Sequence, residues 1–348
     1  MFRYLRLRRC LRRRPARLRP GAVNAVALLA LVLAALGLLV LVLLLRPARS
    51  EPATSWISSR QCLECHPGVA AEWRESHHAF AYENPEVRQL SNDFRNEECL
   101  ACHAPRPVLG FAPGERVLER ASDRALGVDC LACHALPDAG VATGNPQPDA
   151  SAPCRPRYEP RMRDVSHCAS CHNQHGTVDQ WRAAPEEFEG RKLKGDGCLH
   201  CHMPDAVRPD GAAGRDHRFR ASHDLAQLQA AARIEGGWSA EGPWVSVTNF
   251  GAAHNFPTDE RSRAADVQVR WRGAEGEPGP WQHVHRFRDP YRDEVDLTNT
   301  QLPAGQTWRR TLAAAPGARA GEARLLYRTN PFQADDEARE IGRVSLQP

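Results

Sequence analysis

Absences organise this chain of 348 residues. Its first 20 residues hold nine arginines and no acidic residue, so no ion pair can form within that segment and it stays a strongly basic flank. From Ala22 to Leu45 there is no charge over 24 positions, with Asn24 the single polar break. That pattern excludes an amphipathic surface helix, which would need a polar face. Cysteine stops at Cys201, so thiol chemistry is excluded from the C-terminal third. Tyrosine is scarce, with five in the whole chain.

The uncharged run has the length of a membrane span. At 1.5 Å per residue it would make a helix of about 36 Å, against a hydrocarbon layer of about 30 Å. Residues 21–45 are therefore expected to be a transmembrane anchor, with 1–20 an arginine-rich cytoplasmic segment and the bulk of the chain extracytoplasmic, single-pass in the inner membrane. A cleaved signal peptide is the rival reading. Ala48-Arg49-Ser50 is a passable cleavage site, but the run exceeds the usual 7–15 residue apolar region. Both readings deliver the chain to the same compartment. Taking the nine arginines off the formal +4 leaves about −5 for the remainder. A nucleic-acid partner is excluded on that charge, and docking to another redox protein is compatible with it.

What the middle of the chain contains is Cys-x-x-Cys-His, five times: Cys62–His66, Cys99–His103, Cys130–His134, Cys168–His172 and Cys198–His202. Two thiols at this spacing reach the two vinyl groups of one porphyrin, and the following histidine becomes the proximal ligand to its iron. Zinc ribbons would combine such pairs in twos, and five is odd. Redox dithiols need no histidine after each pair. The cofactor expected is haem c, five copies, attached through Cys62, Cys65, Cys99, Cys102, Cys130, Cys133, Cys168, Cys171, Cys198 and Cys201, with His66, His103, His134, His172 and His202 on the metal. Two of the twelve cysteines remain, Cys10 and Cys154.

The motifs start 37, 31, 38 and 30 positions apart. Residues 56–235 thus give about 36 residues to each haem, too few for an ordinary apolar core, so porphyrins must fill it. A helix is expected over Pro67–Ala81 and another over Asp224–Glu235, with proline-rich connections between. From Gly236 the pattern changes to alternation: 244–249, 266–271, 283–287, 307–312, 323–327 and 341–346 read as strands separated by turn residues. The fold class expected is α+β multidomain: N-terminal transmembrane helix, linker 46–55, a mostly helical and coil pentahaem cytochrome domain over 56–235, and an antiparallel β-sandwich over 236–348.

A haem iron with a second histidine favours electron transfer, whereas an open iron favours chemistry. Ten histidines lie outside the motifs, more than enough to close five irons. Trp73-Arg-Glu-Ser76-His77-His78-Ala79 resembles the W-x-x-S-x-H-A signature of multihaem cytochromes related to cytochrome c-554. The resemblance implies a distal ligand at His78. His217-Arg-Phe-Arg-Ala-Ser-His223 looks like the histidine-rich segment after the last motif in such proteins, making His217 and His223 candidates. His167, directly before Cys168, matches a form of ligand to a neighbouring haem. Asn249-Phe-Gly-Ala-Ala-His254-Asn-Phe-Pro-Thr258 resembles a segment of sandwich domains fused to multihaem cytochromes, with Ala253 where glycine is usual. His254 is therefore a candidate on a loop that dips onto the haem region. His175 and His200 are further candidates, whereas His283 and His285 alternate on a strand and read as structural.

These residues point to a membrane-anchored cytochrome passing electrons between a quinol-linked membrane partner and another redox protein. The alternative is an oxidoreductase acting on a small nitrogen or sulfur compound at one five-coordinate haem. Ammonia-forming nitrite reductases mark the catalytic haem with Cys-x-x-Cys-Lys, which this chain lacks. Hydroxylamine oxidoreductases carry a cross-linking tyrosine and usually more haems. Oligomeric state is not readable from these features.

Overall fold

The computed structural model describes residues 25–44 and 58–348, except 139, 259–261, 274–275 and 292. The arginine-rich segment 1–20, Cys10 and the linker 46–55 lie outside the described residues. The chain divides into two units at Pro52/Ala53, each described by itself.

The first unit holds helix α1, Ala25–Leu44, and it corrects the expected transmembrane helix. Among the described residues no helix is long and apolar enough to cross a membrane.

The second unit opens with short helices: α2 (Arg60–Cys65), α3 (Pro67–Arg74), α4 (Pro85–Leu90), α5 (Leu100–His103), α6 (Cys130–His134), α7 (Val165–His172), α8 (Thr177–Ala183), α9 (Leu199–His202) and α10 (Leu225–Ala231). Side-chain caps start several of them. Asn84, Asp129, Asp164 and Asp224 each accept from a backbone N–H in the first turn of α4, α6, α7 and α10, supplying partners the helix itself cannot. Three two-stranded ladders fill the gaps: β1 (Val141–Thr143) with β2 (Pro156–Tyr158), β3 (Glu187–Phe188) with β4 (Arg191–Lys192), and β5 (Asp205–Val207) with β6 (Ala213–Arg215).

Helix α3 ends at Arg74, not at Ala81 as expected. Ser76 is the reason. Its hydroxyl donates to Trp73 O at 2.6 Å and accepts from Ala79 N at 3.2 Å, a local bonding pattern that competes with the helix ladder.

The sandwich consists of β7 (Ala232–Ser239), β8 (Gly242–Asn249), β9 (Ala264–Trp271), β10 (Gln282–Phe287), β11 (Thr307–Thr311), β12 (Gly321–Arg328) and β13 (Arg339–Leu346). They pair antiparallel in two sheets, ordered β10-β9-β12-β13 and β11-β8-β7. The six expected strands are all present. The seventh, β7, occupies the end of the expected 224–235 helix, because Ala232–Ser239 finds a full ladder along β8. Gly236 lies in that ladder without room for more: a Cβ there would stand 2.7 Å from Leu346 Cδ2 and 2.9 Å from Trp244 O.

Val245, Val247, Val267, Leu325, Phe287 and Leu346 form a buried apolar cluster between the sheets. Asp266 sits in the sandwich at 0% exposure. Arg286 grips it at 2.7 and 2.8 Å and Arg328 at 2.6 Å, so the buried charge is paired and hydrogen-bonded as such a charge must be.

Candidate haem sites

All five Cys-x-x-Cys-His motifs fall on a single helical turn, in α2, α5, α6, α7 and α9 or directly capping them. The turn carries both thiols and the histidine on adjoining positions, and hydrogen bonds such as His66 N to Cys62 O (3.0 Å) and His202 N to Cys198 O (3.0 Å) hold its pitch. The motifs lie close to one another in pairs. Cys62 bonds Cys130, which pushes the Cys62 thiol up and the Cys130 thiol down. Cys168 bonds Cys198 likewise, raising Cys168 and lowering Cys198 to about 7. Neighbouring contacts agree: Leu131 N donates to Ser59 Oγ at 2.9 Å, and the side chains of Arg163 and Asp196 pair at 3.0 Å.

The imidazoles fit a metal sandwiched between them. Two metal–nitrogen bonds of about 2 Å, plus about 1.1 Å from each nitrogen to its ring centre, separate two axial rings by about 6 Å. His78 and His172 have ring centroids 6.0 Å apart with planes tilted by 51°, His134 and His217 6.4 Å with planes 26° apart, and His202 and His254 6.3 Å with planes 12° apart. Tautomers fit as well. Nδ1 of His103 meets Ala81 O (2.8 Å), His134 meets Ala142 O (2.8 Å), His202 meets Arg220 O (2.7 Å), His217 meets Arg215 O (2.8 Å) and His254 meets Asn255 O (2.9 Å). A carbonyl only accepts, so Nδ1 carries the proton and Nε2 offers its lone pair, the arrangement metal-ligating histidines adopt. Burial lowers the pKa of His134 and His217, keeping the rings neutral. The donor set is therefore right for haem c, held by the ten motif cysteines.

His78 is aimed by its surroundings. Trp73 Nε1 donates to Val128 O at 2.9 Å, and Val128 N donates to His78 O at 2.8 Å. Gly127, at φ +60°, allows this approach, since a Cβ would stand 2.3 Å from His78 O. The tryptophan, serine and histidine of the signature thus form one clamp: the serine stops the helix, the tryptophan docks it on the third motif, and the histidine projects from the turn.

His254 is placed by its own loop. Asn249 Nδ2 donates to His254 O (2.8 Å) and Leu302 O (3.0 Å). Gly251 packs where a Cβ would be 1.9 Å from Ala230 O. Asn255 N and Thr258 Oγ1 both reach Gln180 Oε1 on α8, tying the sandwich loop to the haem region. Ala253, the departure from the usual glycine, is buried against Ala184 and Leu193, so its methyl has a use.

Other expected candidates fall elsewhere. His223 stacks on His77 at 3.5 Å, closer than any metal between them would allow, and burial first lowers its pKa to about 3. His167 has both ring nitrogens buried with no hydrogen-bond partner. Burial, then His134 and Arg161, hold it near pKa 4, a neutral donor without an assigned acceptor. His66, which is exposed, and His103 belong to none of the three pairs. His283 stands 3.6 Å from Asp266, and His285 stacks on Trp308 at 4.6 Å.

Residues 61–135, covering the first three motifs and the His78 clamp, match the family described as Cytochrome c554 and c-prime. Among solved structures, a penta-heme cytochrome c552 from Thermochromatium tepidum aligns with TM-score 0.59 at 19% identity, over 83% of this chain and 98% of that one. No curated protein matches. The chain is similar to the multihaem c-type cytochromes, and the resemblance read from its residues holds.

Proposed function

We propose that this protein is an extracytoplasmic pentahaem c-type cytochrome that transfers electrons between a quinol-linked donor or another redox protein and an acceptor. The observation that carries this reading is the three facing imidazole pairs at 6.0, 6.4 and 6.3 Å, because an iron closed on both sides exchanges electrons without binding substrate. The ligand assignments follow: His78 with His172, His217 with His134, and His254 with His202. Adjacent motif cysteines bring the haems of the first and third motifs, and of the fourth and fifth, next to one another. Covalent attachment of haem c supports a location outside the cytoplasm, and the mildly acidic remainder of the chain supports a protein redox partner over a polyanion.

One observation favours a second reading, catalysis on a small nitrogen or sulfur compound. Two motif histidines, His66 and His103, lie outside the three pairs, and His66, being exposed, marks its haem as the better candidate for an open iron. Low-temperature EPR of the purified protein separates the two. The electron-transfer reading expects low-spin ferric haems throughout, unchanged by cyanide or nitrite. A high-spin signal that shifts on adding either anion would overturn it.

A further inference from the structure

Beneath His217 lies a buried ion pair that haem attachment does not require. Glu72 and Arg208 are 7% and 8% exposed. Arg208 Nη2 donates to Glu72 Oε2 at 2.7 Å and to Arg215 O at 2.8 Å. The same Glu72 oxygen accepts from His217 N at 3.1 Å and stands 3.9 Å from His217 Nδ1. Arg215 O, held by that guanidinium, is the acceptor for His217 Nδ1. Glu72 comes from α3, just after the first motif, and lies 145 positions from His217.

We infer that Glu72 is a positioning residue that sets the redox potential of the haem held by His134 and His217, through its fixed negative charge beside the His217 ring. This rests on the axial reading proposed above. Glu72 faces a guanidinium, which stays charged, at 2.7 Å and accepts a second hydrogen bond from His217 N at 3.1 Å, so its partners are those of a carboxylate. A carboxylate in a poorly solvated site stabilises the ferric over the ferrous iron, lowering the potential. Burial, charge and second-shell hydrogen bonding are the levers a protein has on a haem potential, and this pair combines all three.

The test is a spectropotentiometric titration of the full-length haem-loaded protein, with EPR on each sample. His217→Ala identifies the transition, because it removes one low-spin signal; if every low-spin signal survives, the axial reading fails and not the charge argument. Glu72→Gln keeps an acceptor for Arg208 and His217 N but removes the charge. It is expected to shift that one transition to higher potential and leave the other haems in place. Because a lone buried Arg208 destabilises the single variant, the double change Glu72→Gln/Arg208→Gln, which leaves no unpaired charge, serves as the second variant and is expected to fall between the single variant and the wild type. An unchanged transition, or equal shifts in the single and double variants with altered low-spin g-values, would show a merely structural role and overturn the inference.

Discussion

The two halves of the second unit solve the problem of a core in opposite ways. Residues 232–348 bury valine, leucine and aromatic side chains between two sheets, with Val245, Val247, Val267, Ala323 and Leu325 fully enclosed. Residues 58–231 bury their larger apolar side chains, among them Trp73, Phe94, Leu100 and Val117, at scattered places along with single alanines, and they gather only a small cluster, Ala184 and Leu193 with Ala253 borrowed from the sandwich. One half has the apolar surface to outweigh its own chain entropy. The other has imidazoles spaced for iron and helices of one or two turns, which are unstable alone in water. The difference gives haem a structural part as well as a redox one: it would supply the core that residues 58–231 lack, whereas the sandwich, which offers His254 to one haem site, has a core of its own.

The comparison breaks most visibly if haem is withheld. With the ten motif cysteines changed to serine, residues 58–231 are expected to become protease-sensitive while a fragment near 232–348 survives limited proteolysis. Survival of the whole 58–348 segment would refute the division. Next in size is Asp266→Asn, which leaves the buried Arg328 and the half-buried Arg286 against a neutral partner and is expected to cost the sandwich about 3 kcal/mol in thermal unfolding, with the haem spectrum unchanged. Acid tests the same group without mutation. Burial opposes ionisation of Asp266, but its bonds to Arg286, His283 and Arg328 win and hold its pKa well below the ordinary carboxylate range. Its contribution is therefore fully present above about pH 4–5 and lost as pH falls below that, so sandwich stability should be flat at neutral pH and drop in acid. A sandwich whose stability is unchanged down to about pH 3 would contradict this.

The smallest stability effect and the most local spectral one belong to His254→Ala. The sandwich is expected to keep its melting temperature within about 2 °C, while one haem, that of His202, turns high-spin. Loss of no low-spin signal would remove the sandwich from the redox site.

Much of this was legible in the sequence where chemistry is local. A covalent motif has to be written in consecutive residues, so all five were readable, and alternation exposed six strands. Long-range geometry was not. Nothing near His134 names His217 as its facing ring, and nothing near Arg208 names Glu72, 136 positions away. Strand β7 was hidden because it follows α10 without a turn and contains Gly236 and Gly237, weak strand formers on their own. The apolar run at the N-terminus read as a transmembrane span, and among the described residues no helix is long and apolar enough to be one. His223 was a fair candidate by position, yet its stack on His77 could be seen only in three dimensions.

The central claim, that haems furnish the core of residues 58–231, is tested most directly by the intact mass of the mature protein. The account predicts an excess over the polypeptide of five haems at about 0.6 kDa each, retained in denaturant because the links are covalent. An excess of four haems or fewer, or one that is lost on denaturation, would contradict it.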